Sequence, residues 1–119
     1  VSASAAAAPY QRDRGVTTQL RMLAALELPA PVWGELASHA ADRGLVFLST
    51  AFDLRSLDLL LGIGVQALKV PSGELDNLGF VSEIASRGLP VIISTGLGYL
   101  EEVAAAVEAA AAAPGVALM

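Results

Sequence analysis

The sequence predicts an α/β fold with a parallel sheet, in the form of half a (β/α)8 barrel in preference to a small doubly wound sheet. Three observations predict it. A glycine is followed at once by a short apolar run four times, at Gly44, Gly64, Gly88 and Gly115. The runs are rich in Val, Ile and Leu without polar alternation, as strands buried on both faces of a helix-covered parallel sheet would be. Three of them end in hydroxyl or charged residues, and in α/β folds ligands sit beyond the carboxyl ends of the strands. Four strands amount to half of an eight-stranded barrel, which usually takes roughly 250 residues. The 119 residues are therefore expected to be one piece of a longer protein, with residues 1–16 a loop and 17–119 a series of βα units.

The elements follow in order. Thr17 or Thr18 can cap a helix whose apolar stripe is Leu20, Leu23 and Ala24; Pro29 ends it, because the residue before a proline avoids the helical region. Pro31 suits the first turn of a second helix, in which Val32, Leu36 and Ala40 recur on one face, and Gly44 supplies a left-handed C-terminal cap. A strand is expected over residues 45–48, leading to Ser49 and Thr50. Asp53 is an N-cap candidate for a short helix carrying Leu57, Leu60 and Leu61, closed by Gly62 or Gly64. The next strand, 65–70, carries Lys69 and leads through Pro71 to Ser72 and Glu74. From Asp76 or Asn77 a helix presents Phe80, Val81, Ile84 and Ala85 and closes at Gly88. A strand over 89–93 ends in Ser94, Thr95 and Gly96. The last helix starts at Tyr99, shows Leu100, Val103, Ala104, Val107 and Ala111, and has Glu101 and Glu102 in its first turn, where the helix dipole favours them. A fourth strand begins at Val116.

Composition removes several function classes. Seven basic against twelve acidic residues give a net charge of -5, which disfavours nucleic acid, whose affinity rests on phosphate neutralisation. No cysteine and one histidine leave no disulfide framework, no thiol nucleophile and no zinc site built from those two residue types. His39 falls in a helix and reads as a solvated or capping residue. No apolar run approaches the roughly 20 residues of a membrane span. The start, 1–8, lacks the basic head and long apolar centre of a signal peptide. A cytoplasmic location without membrane association is expected.

Lys69 is the residue that most needs explanation, because an unpaired ammonium near the end of an apolar strand is costly to bury. Two readings stand at this point. Glu74 pairs with Lys69 internally, or Lys69 meets an anionic ligand together with the hydroxyls of Thr50, Ser72 and Ser94, each from a neighbouring strand end. Charge-assisted hydrogen bonds of about 1.5–3 kcal/mol each would hold a phosphate or carboxylate well. Ser49, Thr95, Asp53 and Asn77 are of the types that cap helices. The sequence Gly96-Leu97-Gly98 follows a strand and opens a helix as a dinucleotide fingerprint does, but its third position is Glu101, which would repel a pyrophosphate.

Read together, Phe47-Leu48-Ser49-Thr50-Ala51-Phe52-Asp53, Lys69-Val70-Pro71-Ser72-Gly73-Glu74 and Val91-Ile92-Ile93-Ser94-Thr95-Gly96 closely resemble the sialic acid synthase family, which includes the N-acetylneuraminate, legionaminate and pseudaminate synthases. Tyr10-Gln11 and Leu26-Glu27-Leu28 are similar to its upstream segment. The resemblance implies a partial (β/α)8 TIM barrel, from strand three to the beginning of strand six with the intervening helices. It implies condensation of phosphoenolpyruvate with an N-acylmannosamine-type amino sugar to a nine-carbon 2-keto sugar acid. It also implies a divalent metal, manganese or magnesium, whose histidine ligands have no counterpart in this chain, and a homodimeric parent. Carried over, Thr50, Lys69, Ser72 and Ser94 bind phosphoenolpyruvate, Glu74 faces the sugar, and Lys69 and Glu74 are the catalytic pair. Ala51 stands where the family usually has proline and Leu97 where it has methionine. The isolated piece is expected to be inactive. Two rival readings are a Schiff-base aldolase barrel using Lys69 and a non-catalytic half-barrel whose open sheet edges drive assembly.

Overall fold

A computed structural model of the chain describes residues 19–119. Thr17 and Thr18, the candidate caps of the first helix, and Tyr10-Gln11 lie outside the described residues, as does the 1–16 loop. The chain divides into two compact units, Val1–Trp33 and Gly34–Met119. The described part of the first unit holds helix α1 (Gln19–Leu26), none of whose residues is buried. It also holds the start of α2 (Ala30–Ala41), where the Trp33 indole Nε1 donates to the Leu28 carbonyl at 3.4 Å.

The second unit is a run of βα units, as the sequence predicts. Helix α3 (Leu54–Ile63) precedes β1 (Leu68–Val70), a 3-10 turn (Ser72–Glu74) and α4 (Leu78–Ala85); β2 (Val91–Ile93), α5 (Leu100–Ala109) and β3 (Val116–Leu118) follow. The three strands are parallel in the order β1-β2-β3, with Leu68 opposite Val91 and Val91 opposite Val116. The helices cover one face. Leu68, Val70, Val91 and Ile93 point into it and are at most 1% exposed; they meet Leu57 and Leu60 of α3, Val81, Ile84 and Ala85 of α4, and Ala106 and Ala110 at the end of α5. Ala106 and Ala110 are fully buried, and their small side chains let α5 lie close to the sheet.

Burial of the sheet on both faces, expected from the unbroken apolar runs, is not what forms. Lys69 and Ile92 on the opposite face are half-buried, and β3 is exposed along its length. The runs are apolar on both sides, but among the described residues helices cover only one.

The strands also start later than the runs do. Expected strands over 45–48 and 65–70 become a single parallel bridge from Thr50 to Lys69 and the three residues Leu68–Val70. Closure of the preceding helix takes the first residue of two of these runs out of the ladder. Gly44 and Gly64 take the left-handed conformation, with φ of 69° and 84°. The next amide then turns back: Leu45 N–H donates to the Ala40 carbonyl at 3.0 Å and Val65 N–H to that of Leu60 at 3.4 Å. An amide tied to the helix end in this Schellman arrangement is not free for a ladder. In the third run Pro90 has no amide to give, and β2 begins at Val91.

The helix starts follow the sequence more closely. Asn77 Oδ1 accepts from Phe80 N–H at 3.4 Å, and Asp53 Oδ1 accepts from Ser56 N–H at 2.7 Å. Hydrogen bonding from Ser56, helped by the nearby Arg55 charge, holds the Asp53 carboxyl below the usual aspartate range against a small opposing effect of desolvation. A folded-state value below the unfolded one stabilises the fold above the unfolded pKa of about 4 and loses that contribution as pH falls through the folded value. Asp53→Ala is expected to cost about 1 kcal/mol at neutral pH by urea denaturation. Asp53→Asn is expected to keep the cap and remove this part of the acid dependence. Arg87 ties α4 to α3 through Asp58 at 3.3 Å and Glu83 at 2.7 Å, a partly exposed bridge worth about 0.5 kcal/mol.

Candidate functional site

Strand pairing brings the residues singled out in the sequence to one edge of the sheet. Thr50 is bridged to Lys69 and Lys69 is opposite Ile92, so the three share one row on the face away from the helices. Ser94 lies two residues beyond Ile92, on the same face of the next strand, and its amide donates to the Val70 carbonyl at 3.0 Å. Ser72 opens the 3-10 turn that follows β1, and Glu74 closes it. Neighbouring strands are about 4.8 Å apart and same-face residues about 6.6 Å apart along a strand. A lysine side chain at position 69 spans that distance. All five residues are half-buried.

Their hydrogen bonding separates the two readings of Lys69. Arg87 forms ion pairs with Asp58 and Glu83, whereas the Lys69 side chain makes neither an ion pair nor a hydrogen bond among the described residues. The internal pair with Glu74 is not formed. The Glu74 carboxylate instead accepts, through Oε2, from Asn77 Nδ2 at 2.9 Å. Among the described residues the hydroxyls of Thr50, Ser72 and Ser94 have no hydrogen-bond partner either. One cation and three hydroxyls with no internal partner, at the carboxyl ends of adjoining parallel strands, form an arrangement suited to an anion.

Other candidates fall elsewhere. Ser49 caps no helix. Thr95 is not a cap but a clasp: its amide and its Oγ1 both donate to the Met119 carbonyl, at 2.8 and 3.1 Å, which ties the end of β3 to the loop after β2. Glu102 Oε2 accepts from Tyr99 N–H at 2.7 Å and so caps the first turn of α5. His39 is exposed in α2 and accepts at Nδ1 from Arg43 at 2.9 Å. Among the described residues no group of three or more His, Cys, Asp or Glu side chains gathers in one place. No described helix is long and apolar enough to cross a membrane. A hollow of about 550 Å³ lined by Ala37, Phe47, Ile63 and Val65 among others lies at the amino end of the sheet and contains no ionisable side chain.

The sequence did not disclose two supports of this edge. One is the Asn77–Glu74 hydrogen bond, for which the i, i+3 spacing was the available sign. The other is Gly98. A Cβ built on Gly98 would overlap the Cδ2 methyl of Leu75, which is 2% exposed, so the loop after β2 rests directly on the residue that anchors the Ser72–Glu74 turn. Gly98→Ala is expected to cost about 1–3 kcal/mol in thermal denaturation, because Leu75 must leave its place in a filled core. Gly96→Ala, with open space around the new methyl, is expected to cost far less.

The NeuB family profile matches residues 1–119. The N,N'-diacetyllegionaminic acid synthase of Legionella pneumophila is 43% identical over 103 residues, covering 85% of this chain and 29% of that protein. The enzyme of the same name from Campylobacter jejuni is 41% identical over 105 residues, covering 87% and 31%. Among solved structures, the N-acetylneuraminic acid (sialic acid) synthetase of Leptospira borgpetersenii serovar Hardjo-bovis, in complex with citrate, superposes with a TM-score of 0.72 at 27% identity, covering 77% of this chain and 33% of that one. The chain spans less than a third of the length of the two curated relatives.

Proposed function

This chain belongs to the NeuB family, and from that premise we propose that it forms the central part of a barrel that joins phosphoenolpyruvate to an N-acylmannosamine-type sugar. The products are a nine-carbon 2-keto sugar acid and inorganic phosphate. The observation that supports the reading is the Lys69 side chain, half-buried and without an ion-pair or hydrogen-bond partner among the described residues, in one row with Thr50 and one row from Ser94.

In this reading the Lys69 ammonium and the hydroxyls of Thr50, Ser72 and Ser94 hold the phosphate and carboxylate of phosphoenolpyruvate. Fixed there, its carbon 3 faces the sugar aldehyde. A carbon–carbon bond forms as the carbonyl π bond breaks, and the former carbonyl oxygen takes up a proton. Water adds at carbon 2 and loses a proton; the tetrahedral adduct then breaks its bond to the bridging oxygen and releases phosphate, leaving the ketone. Lys69 and its hydroxyls serve throughout by offsetting negative charge that a dry site would otherwise disfavour. Glu74 faces the sugar and accepts from its hydroxyls.

The test uses a full-length synthase that carries this segment. Phosphate release from phosphoenolpyruvate is expected only when an N-acylated mannosamine is present, in equal amount to the 2-keto acid formed. With oxygen-18 in the bridging position, the label is expected in the phosphate. Label retained in the sugar acid, or no phosphate with any such sugar, overturns the reading.

A further inference from the structure

We propose that Asn77 is a positioning residue for the Glu74 carboxylate, so that sugar recognition is built into the cap of α4; the proposal rests on the synthase reading of the site. Glu74 ends the Ser72–Glu74 turn, and a glutamate there has enough free rotation to point in several directions. Asn77 limits it. Its Nδ2 donates to Glu74 Oε2 at 2.9 Å, while its Oδ1 accepts from Phe80 N–H at 3.4 Å and its backbone amide donates to the Glu74 carbonyl at 3.1 Å.

The assignment of the two ends of the amide follows from the partners. A backbone N–H can only donate and an ionised carboxylate can only accept, so the oxygen must face Phe80 and the nitrogen Glu74. The planar amide is thus fixed at its oxygen by the helix start and presents its nitrogen in one direction. That direction sets Oε2, and among the described residues Oε1 is left without a partner, available to a hydroxyl donor. Leu75, 2% exposed and in contact range of Gly98, holds the backbone between the two residues.

Only asparagine fits both ends. Aspartate caps a helix equally well but turns a second carboxylate toward Glu74, and serine caps but has no donor long enough to reach it. A carboxylate aimed in advance does not lose rotational freedom when the sugar arrives. Its loss of aim is therefore expected in the sugar's KM and not in that of phosphoenolpyruvate.

The experiment compares Asn77→Ser, Asn77→Asp and the unsubstituted protein in a full-length synthase carrying this segment. Asn77→Ser is expected to keep the melting temperature and the KM for phosphoenolpyruvate while raising the KM for N-acetylmannosamine about fivefold; Asn77→Asp should raise it further. A second readout needs no turnover: the side-chain amide proton signals of Asn77 should move in NMR spectra of Glu74→Gln. Unchanged sugar KM in both variants, or amide signals that stay in place, overturns the positioning role. If the unsubstituted protein consumes no sugar, the synthase reading falls and this proposal falls with it.

Discussion

Lys69→Met is expected to lower kcat/KM for phosphoenolpyruvate by about a hundredfold in a full-length synthase carrying this segment, since losing charged hydrogen bonds to an anion costs about 1.5–3 kcal/mol and each 1.4 kcal/mol is tenfold. Its effect on stability should have the opposite sign, or none. The ammonium is half-buried without an internal partner among the described residues, so a methionine of similar length removes a desolvation cost and breaks no bond within the protein. Urea denaturation of the chain alongside steady-state kinetics of the full-length variant tests both. A residue kept for the fold would lose stability and activity together, and that outcome would remove Lys69 from the site. Lys69→Arg should not restore activity fully, because a planar guanidinium does not replace a compact ammonium beside three hydroxyls.

Ile93→Ala is expected to be the most damaging of the core truncations. Ile93 is fully buried in the central strand, opposite Val70 on one side and Leu118 on the other, and truncation of such a side chain costs about 2–5 kcal/mol. Domains are stable by only about 5–15 kcal/mol, so denaturation midpoints should fall sharply. Ile92→Ala makes the informative control. It removes the same groups one residue away, on the half-buried face that carries Lys69, and should cost less than half as much. Equal losses from the two would mean that both faces of the sheet are packed alike.

That comparison also marks where the sequence was legible. Helix ends could be read because they are local. Asp53 and Asn77 cap the helices they precede, and Gly44, Gly64 and Gly88 all take positive φ. Strand starts could not, because whether Leu45 or Val65 joins a ladder depends on the way the preceding helix closes. One-sided burial was equally hidden: Ile92 and Ile93 are chemically the same, and only the placement of the helices distinguishes them. At the candidate site, Thr50, Lys69, Ser72, Glu74 and Ser94 were legible because each stands at or just beyond the end of an apolar run. The hydrogen bond that aims Glu74 was not, since it depends on a short 3-10 turn that no periodicity announces.

Each strand of the sheet pairs with the next one in the chain: Leu68 with Val91, and Val91 with Val116. Every ladder therefore closes a loop of about 25 residues, a short excursion whose entropic cost is modest. Such a segment can assemble progressively during synthesis, each newly emerged βα step docking on the one before it. Lys69 and the neighbouring strand-end hydroxyls would then be mustered early, with the middle strand the first to gain protection from hydrogen exchange.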